Sequence, residues 1–195
     1  MNKQFFGALL LILVVSCAAF AQDAAKKEPG PPPTVTKVAH NQLGWVEGEI
    51  VPAAEAMPED KFDFAPSQGE FKGVRTFLQQ VKHVAAVNYM VGAAIREEKI
   101  PVDIGSGENG PDSIKTKAEA VKFLKDSFAY LHGALDAVTA ENATAWIKSP
   151  FGDGRTTRLG MSIVAVAHPF DHYGQMVVYL RMNGIIPPAS RPQQK

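Results

Sequence analysis

Four polar residues toward the C-terminal end share one helical stripe: His168, His172, Gln175 and Tyr179. They stand at i, i+4, i+7 and i+11, which at about 100° per residue places them in a band roughly 60° wide. Two histidines at i, i+4 project their rings from neighbouring turns to one side, at a separation one divalent cation can bridge. The same spacing suits two hydrogen-bonded histidines with no metal, and spacing alone does not separate the two. His168-Pro169-Phe170-Asp171-His172 has the histidine spacing of the H-E-x-x-H zinc-protease motif. Proline stands where that motif has its general-base glutamate, so protease chemistry is excluded. Pro169 also removes one backbone hydrogen bond beside His168.

Two ligands hold a metal poorly; three or more are the rule. The chain has five histidines and a single cysteine, Cys17. A disulfide framework and a cysteine-built zinc site are therefore excluded within one chain. His83 is the best third histidine, in an apolar segment among Val81, Val84 and Ala85. By projection it lies roughly 120° from the centre of that segment's stripe, which favours a boundary position over a core ligand. His40 is a weaker candidate. His132 borders the stripe of its own segment and reads as a hydrogen-bonded interface histidine. Gly105-Ser106-Gly107-Glu108-Asn109-Gly110 fits G-x-G-x-x-G, but no strand precedes it and Pro111 follows, so no phosphate cradle is expected. Asn142-Ala143-Thr144 matches a glycosylation sequon by chance in a bacterial-type chain. No Ser/His/Asp or Cys/His nucleophile system has local support.

Four periodic segments must position these residues. The first runs from about Thr34 to Met57, with a bend expected near Pro52. Met57-Pro58-Glu59-Asp60-Lys61-Phe62-Asp63-Phe64-Ala65-Pro66 breaks the period and reads as a crossing loop. The second runs from about Val74 to Glu98, with Phe77, Val81, Val84, Asn88, Val91 and Ile95 in a stripe. The third follows the capping-box pattern Thr116-Lys117-Ala118-Glu119 and carries apolar residues as far as Val138. The fourth runs from about Arg158 to Asn183, with Gly184 and Pro187-Pro188 to end it. It is apolar over most of its circumference, so it is expected to be largely buried. Four such segments without alternating strands predict an all-α four-helix bundle over residues 34–190, with long loops and a short tail at 191–195.

The chain of 195 residues suits one domain, and twenty basic residues balance twenty acidic ones. No basic excess points to nucleic acid. Lys3, the apolar run Phe5 to Val15, and Ala19-Phe20-Ala21 have the order of a secretory signal peptide, residues 1–21. The run is shorter than the ~20 residues that span a bilayer, so no membrane span is expected after cleavage. Export to the periplasm or beyond follows. Val14-Val15-Ser16-Cys17 offers the alternative of a lipoprotein anchored through Cys17. Residues 22–33, ending in Pro29-Gly30-Pro31-Pro32-Pro33, read as a stiff proline-rich linker.

Taken together, three stretches resemble the DinB-like (DinB/YfiT-type) family of bacterial four-helix bundles. They are Met57 to Pro66, Thr76-Phe77 leading to Val81-Lys82-His83-Val84-Ala85-Ala86-Val87-Asn88, and His168 to Arg181 continuing through Asn183-Gly184 to Ser190. The resemblance covers about Thr34 to Ser190. It implies that His83, His168 and His172 bind one divalent metal, Zn or Ni, with a position open for water or a thiolate. Asn88, Asp171, Gln175 and Tyr179 are candidates for supporting or substrate contacts. The implied function is a metal-dependent hydrolase or transferase for a small molecule, or else a non-catalytic metal- or ligand-binding bundle, either one able to pair as a homodimer. Free imidazoles protonate near pH 6.5, so metal binding would be expected to fade below about pH 6.

Overall fold

Thr76 and Thr116 each open a helix with a reciprocal cap. Each hydroxyl accepts the N–H of the third helical residue, and that residue's side chain, Gln79 or Glu119, accepts the cap's own N–H. In the computed structural model, which describes residues 30–192, there are four long helices. These are α1 (Val35–Ala56), α2 (Phe77–Arg96), α3 (Lys117–Leu135) and α4 (Arg158–Met182). The expected signal peptide, most of the linker and the last three residues lie outside the described residues. Among those described, no helix is long and apolar enough to cross a membrane.

Both α1 and α2 pack on α3 and α4, so α1 and α2 occupy one diagonal of the bundle. The α1–α2 and α3–α4 connections therefore cross it, which accounts for their length. The first crossing is anchored by backbone. Phe77 N–H donates to the Phe64 carbonyl (2.9 Å) and Leu78 N–H to the Phe62 carbonyl (2.7 Å). Two amides that a helix start leaves without partners are satisfied this way. The Phe62 ring meets Phe77 edge-on at 5.2 Å.

The second crossing holds a feature that periodicity does not reveal. β1 (Trp146–Lys148) pairs antiparallel with β2 (Arg155–Thr157). Strands of three residues are too short to show alternation, and only Ile147 among them is buried. The hairpin delivers Thr157 to cap α4, its hydroxyl accepting from Gly160 N–H. α1 continues as helix through Pro52, where a bend was expected, and α2 begins at Phe77 rather than Val74. The third helix stops at Leu135; Val138 is buried in the turn beyond it.

The two helices that carry the histidines are buried to different extents. In α2 every residue but Gln79, Ala94 and Arg96 is buried, because α3, α4 and β1 cover it from several sides. The expectation that α4 is mostly buried is overturned. Ile163 is 60% exposed and Val178 51%, because α4 meets the bundle along one side only. The core between the helices is filled by large side chains such as Leu43, Ile50, Phe77, Leu124, Phe128, Met176 and Leu180. Each contributes about 1.5–3 kcal/mol by leaving water, and together they set the α2–α4 separation across which the histidines meet.

Candidate metal centre

His83 comes from α2; His168 and His172 stand one turn apart on α4. Their rings converge edge-to-face, with centroids 5.0 Å (His83–His168), 4.7 Å (His83–His172) and 4.5 Å (His168–His172) apart. One ring nitrogen from each lies within 4.8 Å of the others, a group that could hold a metal ion. His83 is only 5% exposed. Its projection away from the apolar stripe put it at a boundary, but α2 is enclosed all round, so the angle carried no burial information.

The remaining nitrogens decide how the rings are oriented. His83 Nδ1–H donates to the Glu108 carbonyl (2.7 Å), and His172 Nδ1–H donates to Gln80 Oε1 (2.6 Å). Both rings are thereby fixed as neutral tautomers with the Nε2 lone pair free. His83 Nε2 faces His168 Nε2 at 3.1 Å. His168 Nδ1 is buried and has no partner. A buried nitrogen left without a partner costs about 1–3 kcal/mol. Nitrogens held about 2.0–2.1 Å from a tetrahedral ion stand about 3.4 Å apart, close to the observed Nε2 separation. The donor set fits a borderline divalent cation, and three nitrogens leave room for a further ligand.

Gln80 continues the support outward. Its Nε2 donates to Gln175 Oε1 (2.8 Å), and Gln175 Nε2 donates to Asp171 Oδ2 (3.0 Å). Every donor in this chain points away from His172 and toward the carboxylate. On the other side, the glycine-rich loop presents the Glu108 carbonyl. Gly105 has φ 73° and a Cβ there would sit 2.0 Å from the Gly110 carbonyl oxygen; a Cβ at Gly110 would meet Lys82 Cβ at 2.7 Å. The loop that resembles a phosphate cradle thus serves to orient His83.

Burial is the main cause that pushes His168 down to about 3 and His172 down to about 4. It lowers His83 as well, partly opposed by the bond to the Glu108 carbonyl. The Arg75 guanidinium adds its charge against protonation of all three rings. Burial in the folded site thus favours the neutral, coordinating form of all three imidazoles, most strongly for His168 and His172. A polar cleft of about 480 Å³ adjoins the group, lined by Arg75, Gln79, Gln80, Asn109 and Gln175 with Gly73 and Val74. A second hollow of about 490 Å³ between α1 and α4 is lined chiefly by apolar side chains such as Val38, Leu159 and Ile163, with no titratable group among them.

The family model for the DinB superfamily matches residues 42–176, a span that includes all three histidines. The chain belongs to the DinB superfamily. Two solved DinB-like proteins share its fold. One, from Bacillus cereus, aligns with a TM-score of 0.61 at 13% identity, over 80% of this chain and 96% of its own. The other, YjoA from Bacillus subtilis, aligns with a TM-score of 0.58 at 18% identity, over 80% of this chain and 99% of its own. No curated protein sequence matches the chain.

The DinB-type fold brings some of the anticipated supporting residues to the site and not others. Gln175 and Asp171 are there, linked through Gln80. Tyr179 is not at the rings; its hydroxyl donates to the Arg75 carbonyl (3.0 Å) and fixes the start of α2. Asn88 is a correction. Its side chain donates to Ser127 Oγ (3.1 Å) in the α2–α3 interface, because it lies more than a turn beyond His83 on a face that meets α3. Sequence reasoning missed Gln80, Arg75 and the Glu108 carbonyl. Gln80 had a readable signal: Q-x-x-H on α2 mirrors H-x-x-Q on α4, His172 to Gln175, and both place an amide one turn from a ligand.

Proposed function

We propose that this DinB-superfamily chain is an exported, metal-dependent hydrolase or transferase acting on a small molecule. His83, His168 and His172 would hold Zn²⁺ or Ni²⁺. The supporting observation is the convergence of three rings whose outer nitrogens are either tied to neutral acceptors or left without a partner. When bound, such an ion acts as a Lewis acid that polarises a substrate oxygen or lowers the pKa of a water or thiol. The protein's own groups do the rest. Glu108 and Gln80 hold two rings in the coordinating tautomer. The α2–α4 packing shields them from water, and the polar cleft admits a solute from one side. Export rests on the order of Lys3, the apolar run and Ala19-Phe20-Ala21. An intact mass beginning at Gln22 supports it, and a diacylated Cys17 replaces it with the lipoprotein.

One observation favours a second reading, a metal-binding bundle without catalysis. Among the described residues no carboxylate hydrogen-bonds directly to any of the three rings; Asp171 reaches His172 only through two amides. A general base is therefore absent from immediate contact with them. Elemental analysis of untagged protein tests the metal. About one equivalent of zinc or nickel, lost in His83→Ala, supports the site, and none in the wild type contradicts it. Turnover of small esters or electrophiles by loaded protein then separates enzyme from binding bundle.

A further inference from the structure

Arg75 is the residue immediately before the α2 cap, and its backbone is held by the Tyr179 hydroxyl. Its Nε donates to Asn109 Oδ1 (3.1 Å), and Asn109 Nδ2 donates in turn to the Ser106 carbonyl (3.2 Å). The side chain is therefore held at both ends, by its backbone carbonyl and by Nε. Among the described residues no carboxylate lies within salt-bridge distance of it, and neither Nη has a protein acceptor. The five other arginines divide differently: Arg96 and Arg158 have acidic partners, while Arg155, Arg181 and Arg191 bond backbone or hydroxyl oxygens on the outer surface. Arg75 alone lies beside the histidines, close enough for its charge to bear on all three.

The cleft it lines has amides for its other polar walls. Gln79 uses its Oε1 to accept the Thr76 N–H, and among the described residues its Nε2 has no protein acceptor. The carbonyl oxygens of Gln80 and Gln175 are both already occupied by donors. Among the described residues no carboxylate lines the cleft. The side chains thus offer a fixed cation and spare N–H groups, with little accepting capacity left. A guanidinium with both Nη groups free matches two oxygens of one oxyanion side by side. The volume, about 480 Å³, is in the range of small-molecule sites.

We propose that this cleft binds the oxyanion of a small-molecule substrate, a carboxylate or a phosphate, on the Arg75 guanidinium, and so presents the rest of the molecule to the histidine group. The step from docking to chemistry rests on the metal reading above; the docking itself does not.

The test titrates succinate and inorganic phosphate into wild type, Arg75→Ala and Arg75→Lys, each in zinc-loaded and chelator-stripped form. Binding is followed by calorimetry and by the NMR shift of the Gln79 side-chain amide, and zinc content by elemental analysis. Saturable binding that weakens at least tenfold in Arg75→Ala, with zinc content unchanged, is the expected result. The anion that the wild type binds more tightly identifies the group as phosphate or carboxylate, and Arg75→Lys should restore only part of either affinity, because the planar fork meets two oxygens at once and an ammonium does not. Equal affinity of wild type and Arg75→Ala for both anions overturns the proposal, as does no saturable binding to the wild type. If the protein takes up no zinc, the metal reading fails separately, and the stripped form still decides the role of Arg75 by the same comparison.

Discussion

The molecule carries two groups of histidines, and they are built in opposite ways. His83, His168 and His172 meet between α2 and α4, with their tied outer nitrogens on neutral acceptors, a backbone carbonyl and an amide. His40 and His132 meet between α1 and α3. Their rings are parallel within 2°, and Nδ1 faces Nδ1 at 2.8 Å. Their outer nitrogens go to carboxylates, His40 Nε2 to Asp136 (2.9 Å) and His132 Nε2 to Glu47 (3.1 Å). Both nitrogens of each ring therefore have a partner. The pair needs nothing further, and both side chains are about a quarter exposed, at 26% and 28%. Among the described residues the three-ring group has no acid hydrogen-bonded to it, the Arg75 cation nearby and a nitrogen without a partner. What lies behind the rings, carboxylates in one group and a carbonyl, an amide or nothing in the other, thus separates a clamp between helices from a group that could hold a metal ion.

The largest contrast is expected in metal affinity. His168→Ala leaves two protein ligands and should weaken zinc binding by at least about a hundredfold, whereas His40→Ala should leave it unchanged. Competition with a chromophoric chelator measures both. Gln80→Ala is next. It frees the His172 ring and should cost about 10–100-fold in metal affinity, with Gln175→Ala costing less because it acts one bond further out. A Gln80→Ala protein that binds zinc like wild type would show that the amide is not an orienting group.

The third expectation concerns pH in the stripped protein. Histidines kept neutral by burial have folded pKa values below the unfolded value of about 6.5. The unfolded chain then binds more protons across that window, so stability is full above about pH 6.5. It falls as pH drops toward about 3 for His168 and about 4 for His172. Urea titrations from pH 7 to 4 should show this decline, reduced in a His168→Ala, His172→Ala double variant. Metal uptake should persist at about pH 5, below the limit that free imidazoles imply. The smallest effect belongs to the clamp. His132→Ala should lower stability by about 1 kcal/mol through lost hydrogen bonds, with zinc content unaltered. A clamp variant that loses its metal would erase the distinction between the two groups.

Much of this arrangement was legible in particular residues. The stripe of His168, His172 and Gln175 is a matter of spacing along one helix, and the structure keeps Gln175 beside the two histidines. Thr116 and Glu119 mark the start of α3 by chemistry that acts over three residues. His83 was not legible by the same means, because a helix covered on several sides has no single buried face for periodicity to find. Asn88 stands in the apolar stripe of α2, away from His83, and turns to Ser127, since a face shared with α3 is not a face shared with α4. Gln80 and Arg75 become partners of the site only when the crossing after α1 delivers the start of α2 to α4. The β1–β2 hairpin left no periodic trace because three residues do not make a pattern.

The most direct test of the central claim is X-ray absorption at the zinc edge of the loaded, untagged protein. The account predicts three imidazole nitrogens at about 2.0–2.1 Å and one further light-atom ligand. The spectrum should be unchanged in His132→Ala and should lose imidazole scattering in His172→Ala. A first shell dominated by carboxylate oxygens, or one altered by His132→Ala and indifferent to His172→Ala, would contradict it.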